Sequence, residues 1–270
     1  TSKMEPQDNL VKNMTKKLNG RFTTDKWSKS MPAHNCTGDA PYFYRDTECV
    51  MVEFTTDLDF VLDLIPPELE VIEPASAFMI IETNHWTSIG PYSEAYVGIL
   101  CTYEGEVYGY VPGVYVTGEA SQLLGREIYG FGKKQAHNIE LIKHGDGTVE
   151  AVVEVKKGSN NLRAIMSPSV NLSADALTAL PLICLKVIPD VAGGNVPALA
   201  QLTTVTFKAD ALIGSDGKAE VYGGSGSMNM NDHSDLQLPI NEVTGCVYCR
   251  FNADLPYGSV LKTFTDKDFK

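Results

Sequence analysis

The sequence predicts a mainly β chain of α+β class, with antiparallel strands closed into a barrel or a pair of curved, packed sheets and a few short helices between them. Three observations predict it. Segments rich in Val, Ile, Tyr and Thr recur through the chain. Gly-containing turn pairs separate them at hairpin spacing. Helical apolar periodicity is short and rare. Closure or face-to-face packing then follows, because either removes exposed strand edges.

The elements are expected in this order. Residues 1–40 are polar with few periodic apolar positions, so they form an N-terminal arm, a candidate for contacts between subunits, and 41–270 form a single domain. Residues 57–64 repeat apolar side chains at helical spacing behind the capping candidate Thr56 and stop at Pro66-Pro67. Segments 77–84, 92–103 and 106–117 read as strands, the last two joined at Glu104-Gly105. A helix is expected over 118–125. Asp146-Gly147 joins strands 139–143 and 148–156, and Ser215-Asp216-Gly217 joins 203–213 to 218–223. Further helices are expected over 173–180 and after Pro256. Gly223-Gly-Ser-Gly-Ser227 follows a strand but opens no helix, so it reads as a flexible loop and not a nucleotide-binding turn.

Composition narrows the function. At 270 residues with 43% hydrophobic content, the chain can bury a full core without disulfides or a structural metal. A net charge of -12 argues against nucleic acid and against anionic membrane surfaces. The six cysteines are scattered, so reduced thiols are expected. Cys246 and Cys249 have no second pair nearby, and the five histidines lack metal-binding spacing, so no metal is expected. The longest apolar run, 179–188, is broken by Pro181 and Lys186 and is too short to span a bilayer. Without a recognisable targeting segment in 1–35, the expected compartment is cytoplasmic.

The chemistry-bearing segment is 125–134, Gly-Arg-Glu-Ile-Tyr-Gly-Phe-Gly-Lys-Lys. A lysine condenses with a ketone or aldehyde only as the neutral amine, which an ordinary value of about 10.4 opposes at neutral pH. Burial and a second positive charge both favour the neutral form, and an apolar stretch ending in two lysines offers both. On a strand, Lys133 and Lys134 point to opposite faces, so burial of one must count for more than direct repulsion. His137 follows closely enough to reach a pocket rim.

The segment resembles the lysine motif of the acetoacetate decarboxylase family, in which Gly-Arg-Glu runs through an aromatic residue into a double lysine. Pro91-Tyr92-Ser93-Glu94-Ala95 resembles the family's Tyr-x-Glu segment, at the family's distance before the lysines. The likeness extends over Thr56-Asp-Leu-Asp-Phe60, Ile65-Pro-Pro-Glu-Leu-Glu70, Glu73-Pro74, Leu185-Lys-Val-Ile-Pro189 and Leu238-Pro-Ile-Asn-Glu242, in all from about Tyr42 to Phe264. It implies a barrel-like cone enclosing Lys133 as the Schiff-base lysine, Lys134 as the neighbouring cation and Glu94 as the proton-transferring carboxylate. A lyase follows, with a keto acid or other carbonyl compound as substrate, no external cofactor and a homo-oligomeric assembly. Decarboxylation of a β-keto acid leads; aldol or dehydration chemistry on a larger keto acid is the alternative, with Tyr129 or Tyr248 assisting proton transfer. The motif departs from the family at Gly132, where proline is common. Two pocket positions depart as well: the arginine and second glutamate of decarboxylating members align with Thr47 and Met79. Arg45, two residues before Thr47 on the same strand face, and Glu82, three after Met79, are the candidate replacements. A pocket so altered should favour something larger and less charged. A reading of another class is a noncatalytic protein holding a small apolar ligand.

Overall fold

A computed structural model describes residues 19–26, 38–231 and 238–269. Of the polar arm it therefore covers 19–26, with a 3-10 turn at Thr24–Lys26, and 38–40; the rest lies outside the described residues.

Among the described residues sixteen strands form one sheet. In chain order they are β1 (Tyr42–Thr55), β2 (Glu70–Val71), β3 (Ser76–Thr87), β4 (Tyr92–Tyr103), β5 (Glu106–Tyr110), β6 (Val114–Val116), β7 (Lys133–Gln135), β8 (Asn138–Lys143), β9 (Val149–Glu154), β10 (Leu162–Asn171), β11 (Leu182–Ile188), β12 (Leu199–Val205), β13 (Lys208–Ala211), β14 (Val221–Met230), β15 (Glu242–Leu255) and β16 (Ser259–Thr263). The main path runs β16-β12-β11-β5-β4-β3-β1-β15-β14-β10-β9-β8. Pairing is antiparallel except between β11 and β5 and between β6 and β7. The sheet curls until β8, at one end of the path, packs across β3, but among the described residues hydrogen bonding does not close it into a barrel.

The long central strands β1, β3 and β15 divide the molecule, because alternate side chains leave opposite faces. One face carries Val50, Val52, Met79, Ile81 and Tyr248 into the main apolar core. The other carries Cys49, Met51, Ile80, Glu82, Val247 and Cys249 toward a cavity.

Of the three expected hairpins, those at Glu104-Gly105 and Asp146-Gly147 are present, and at Ser215-Asp216-Gly217 the chain turns back through an isolated antiparallel bridge between Ile213 and Ala219. Glu104 and Gly105 both take positive φ, 51° and 85°, as a two-residue turn between twisted strands requires. The first helix, α1 (Leu58–Leu62), is capped by Asp57 and not Thr56: the Asp57 carboxylate accepts from the Phe60 N–H at 3.0 Å. The second, α2 (Glu119–Leu124), lies inside 118–125. Residues 173–180 form only a 3-10 turn at Ala174–Ala176. After Pro256 the chain forms β16 instead of a helix, since β12 offers an edge that the β-branched and apolar residues there can pair. Segment 203–213 splits into β12 and β13, and β13 pairs with β15. The glycine run 223–227 is not a loop but the middle of β14. A Cβ at Gly224 would lie 2.0 Å from the Ser167 carbonyl oxygen, and one at Gly226 would lie 2.6 Å from Cys246 Sγ, so glycine here marks close approach of backbones. Among the described residues no helix is long and apolar enough to cross a membrane.

Candidate active site

Lys133 opens the short strand β7, held beside β6. Lys133 is 6% exposed, and strand alternation turns Lys134 outward, where it is exposed. The Lys133 Nζ donates to Glu94 Oε2 at 2.7 Å and to Ser121 Oγ at 2.8 Å. The rings of Tyr92 and Phe131 lie 5.4 and 5.7 Å from it.

The glycines of the motif create the channel for this side chain. Helix α2 runs directly into a π turn, Gly125–Tyr129, which ends at Gly130 with φ 90°. The N–H groups of Gly130 and Phe131 both return to the Gly125 carbonyl, at 2.8 and 2.9 Å. A Cβ on Gly125 would lie 2.5 Å from Lys133 Cδ and 2.6 Å from Cε, so only glycine lets the lysine stem pass. At Gly130 the positive φ and a Cβ position 2.4 Å from Lys186 Cβ exclude other residues again.

Two carboxyl groups face each other beneath the amine. Glu94 on β4 is the direct cross-strand partner of Glu82 on β3, and both are buried. Burial, and then the Glu94 charge, push the Glu82 carboxyl well above the ordinary carboxylate range, which favours its protonated form. Its Oε1 accepts from Asn84 Nδ2 at 3.1 Å, and Asn84 Oδ1 accepts from Thr47 Oγ1 at 2.8 Å. Tyr92 donates to the Tyr44 hydroxyl at 3.2 Å. Burial and Glu94 raise both phenols, so they remain neutral donors.

These groups sit at one end of a cavity of about 510 Å3. Lys133 and Tyr129 line a recess of about 10 Å3 that shares Tyr44, Glu94, Tyr96, Leu182 and Phe207 with the larger space. The recess has room for about one water-sized group beside the amine.

The residues expected from sequence separate into two sets. Lys133, Glu94 and Tyr129 come together, Tyr129 donating its hydroxyl proton to the Pro256 carbonyl at 2.8 Å. Lys134 does not join them. Tyr248 leaves the opposite face of β15 from Val247 and Cys249, enters the apolar core and donates to Glu48 Oε1 at 2.8 Å. Met79 likewise points into the core, whereas Glu82 reaches the cavity; a step of three along a strand is odd and changes the face. Thr47 is buried one bond behind Asn84. Arg45 does not share its direction, because a bulge at Asp46, with φ 56°, breaks the alternation. Its guanidinium pairs with Asp254 at 3.0 Å on the outer side. His137 is exposed and absent from the cavity lining. Ser121, Asn84, Tyr44 and the facing thiols Cys49 and Cys249 are site residues that sequence reasoning missed; only Ser121, inside the expected helix and four residues before Gly125, carried a local signal.

Comparison with known proteins agrees with this architecture. Residues 30–263 match the family model described as acetoacetate decarboxylase. Acetoacetate decarboxylase 1 of Bradyrhizobium diazoefficiens is 28% identical over 252 residues, which cover 88% of this chain and 94% of that protein. The crystal structure of acetoacetate decarboxylase from Legionella pneumophila superposes with a TM-score of 0.77 at 24% identity, covering 92% of this chain and 99% of the other. The enduracididine biosynthesis enzyme MppR, solved with the condensation product of pyruvate and imidazole 4-carboxaldehyde, superposes with a TM-score of 0.65 at 19% identity, covering 83% and 90%.

Proposed function

The chain belongs to the acetoacetate decarboxylase family, and from that premise we propose that it is a Schiff-base lyase in which Lys133 attacks the carbonyl of a β-keto acid and carbon dioxide is lost. The observation that carries this reading is the buried amine 2.7 Å from Glu94, in a small recess that shares Tyr44, Glu94 and Tyr96 with the large cavity. A buried lysine is costly to keep, and one held against a carboxylate that lines a cavity is a functional arrangement.

The Lys133 ammonium passes a proton to Glu94, and the neutral amine adds to the keto carbon. Water leaves, with its proton drawn from the carboxyl groups below, and an iminium remains. The bond to the carboxylate breaks, its electron pair moves toward the iminium nitrogen, and carbon dioxide and an enamine form. The protonated Glu82 gives its proton to the enamine carbon, water adds to the resulting iminium to release the ketone and Lys133 as the ammonium, and a proton from solvent restores Glu82. Two carboxyl groups close to the substrate carboxylate favour the step that removes its charge. No external cofactor is needed.

Aldol or dehydration chemistry through the same lysine is the second reading. It is favoured by one observation: among the described residues, neither cavity lining contains an arginine to hold a substrate carboxylate. The condensation product bound to MppR gives that reading a structural parallel. A homo-oligomer in the cytoplasm belongs to the same proposal, and sedimentation velocity reports the assembly.

The test is intact mass after incubation with β-keto acids and borohydride, with carbon dioxide release followed in parallel. An adduct that disappears in Lys133→Ala, together with carbon dioxide, is the expected result. An adduct without carbon dioxide selects the aldol or dehydration reading. Absence of adduct with any carbonyl compound would leave a noncatalytic binding protein.

A further inference from the structure

We infer that the carbonyl compound handled here carries an extended apolar tail, which makes the substrate class a medium-chain β-keto acid and not a four-carbon one. This rests on the Schiff-base reading of Lys133 and adds what the rest of the cavity holds. At about 510 Å3 the cavity falls in the range that encloses drug-sized ligands.

The shape of that space follows from strand register. Side chains directed into the cavity from neighbouring strands lie in rows across the sheet. The first row is Glu94, Glu82, Cys49 and Cys249. The second is Tyr96, Ile80, Met51 and Val247. In the third, Glu53 faces Phe78 on one side and Gly245 on the other. Each row lies two residues further along the strands, about 6.7 Å, so the third is about 13 Å from the first. The first row is buried; Met51 and Val247 are half-buried, and Glu53 is exposed. Exposure therefore rises along the strands away from Lys133, with the closed end at the carboxyl groups and the mouth at Glu53.

Between the two acidic rows the wall is apolar. Among the described residues only Glu53, Glu82 and Glu94 are charged in the lining, and Leu177 and Leu180 from the loop after the 3-10 turn add to the apolar wall. Phe78, the residue that would shorten the space, lies down over its neighbours: a Cβ at Gly98 would fall 2.1 Å from its ring and one at Gly109 would fall 2.8 Å from it. Two glycines on adjacent strands thus provide a bed for the ring and keep the lumen long. A head group alone at Lys133 would leave this channel unfilled, whereas an alkyl tail would cover it and end where polar residues meet solvent.

The experiment uses the full chain and two ligand series. Calorimetry with 2-alkanones of increasing length measures binding apart from turnover, and kcat/KM with 3-oxo acids of matching length measures use. Affinity and kcat/KM should rise about fourfold per methylene until the tail reaches Glu53, then fall. Met51→Trp, which places an indole in the second row, should lower the ratio of long-chain to short-chain affinity at least tenfold, and Val247→Phe should do the same if the first variant does not fold. Values that are flat or decline from the shortest ligand in the wild type overturn the tail, as does a chain-length slope unchanged in a folded variant. Borohydride adducts with the same ketones are scored separately. Their absence at every length rejects the lysine chemistry, while the calorimetric slope still decides the tail.

Discussion

At the scale of single residues, the site depends on which side chain takes which face. Lys133→Ala should abolish the borohydride adduct and lower turnover by at least about a thousandfold, as expected for loss of a covalent nucleophile. Lys134→Ala should keep the adduct and remain within a few-fold, because that side chain is exposed on the other face of β7. Equal losses in the two variants would contradict this division. Glu82 makes a second test. The folded chain holds its proton to higher pH than the unfolded chain, where the ordinary value is 4.5. Between those two values the folded state binds more protons, so stability falls as pH rises through that window. Glu82→Gln removes the titration. Its thermal midpoint should match the wild type below the ordinary value and exceed it increasingly at higher pH; a difference that shrinks with pH would refute the shift. Lys133 and Glu94 were legible in the sequence because two motifs stand at a fixed separation. Ser121 and Asn84 were not, since hydroxyl and amide partners are recruited by folding and leave no spacing of their own.

At the scale of elements, π turn and strand register do the positioning. Gly125→Ala introduces a methyl group 2.5 Å from the Lys133 stem. The variant should stay folded, with α2 if anything favoured by alanine, but form adduct at least tenfold more slowly; retention of the wild-type rate would show that the stem can yield. Hairpins were readable where turn chemistry is local, as at Glu104-Gly105. The failures were nonlocal. A three-residue offset on β3 exchanged Met79 for Glu82, and the glycine run in β14 reads as flexible until β10 and β15 are seen pressing against it. Arg45 and Thr47 have the spacing of one strand face, yet the bulge at Asp46 separates them. A β residue depends on partners far away in sequence, so its face is legible only once register is known.

At the scale of the molecule, a net charge of -12 surrounds a site proposed to receive an anion. Added salt screens that repulsion. The kcat/KM for a keto acid should therefore rise a few-fold between low and physiological ionic strength, while binding of a neutral ketone should stay nearly constant; parallel responses would place the effect elsewhere. The mainly β class was legible from composition and turns, but the incomplete closure of the sheet was not, because it depends on where the two end strands come to rest. The register between β1 and β15 also has a kinetic consequence. Glu48 and Tyr248 meet across 200 residues of chain, and the same strand pair joins Cys49 to Cys249 in the wall of the cavity. Contacts so distant form slowly, after the entropy of a long loop has been overcome. Until they do, the part of the cavity wall that β1 and β15 supply beside Glu82 and Glu94 is missing. Under the proposed Schiff-base chemistry, adduct formation is expected only from the completed cavity, so the rate at which adduct-forming competence returns during refolding measures assembly of the whole sheet.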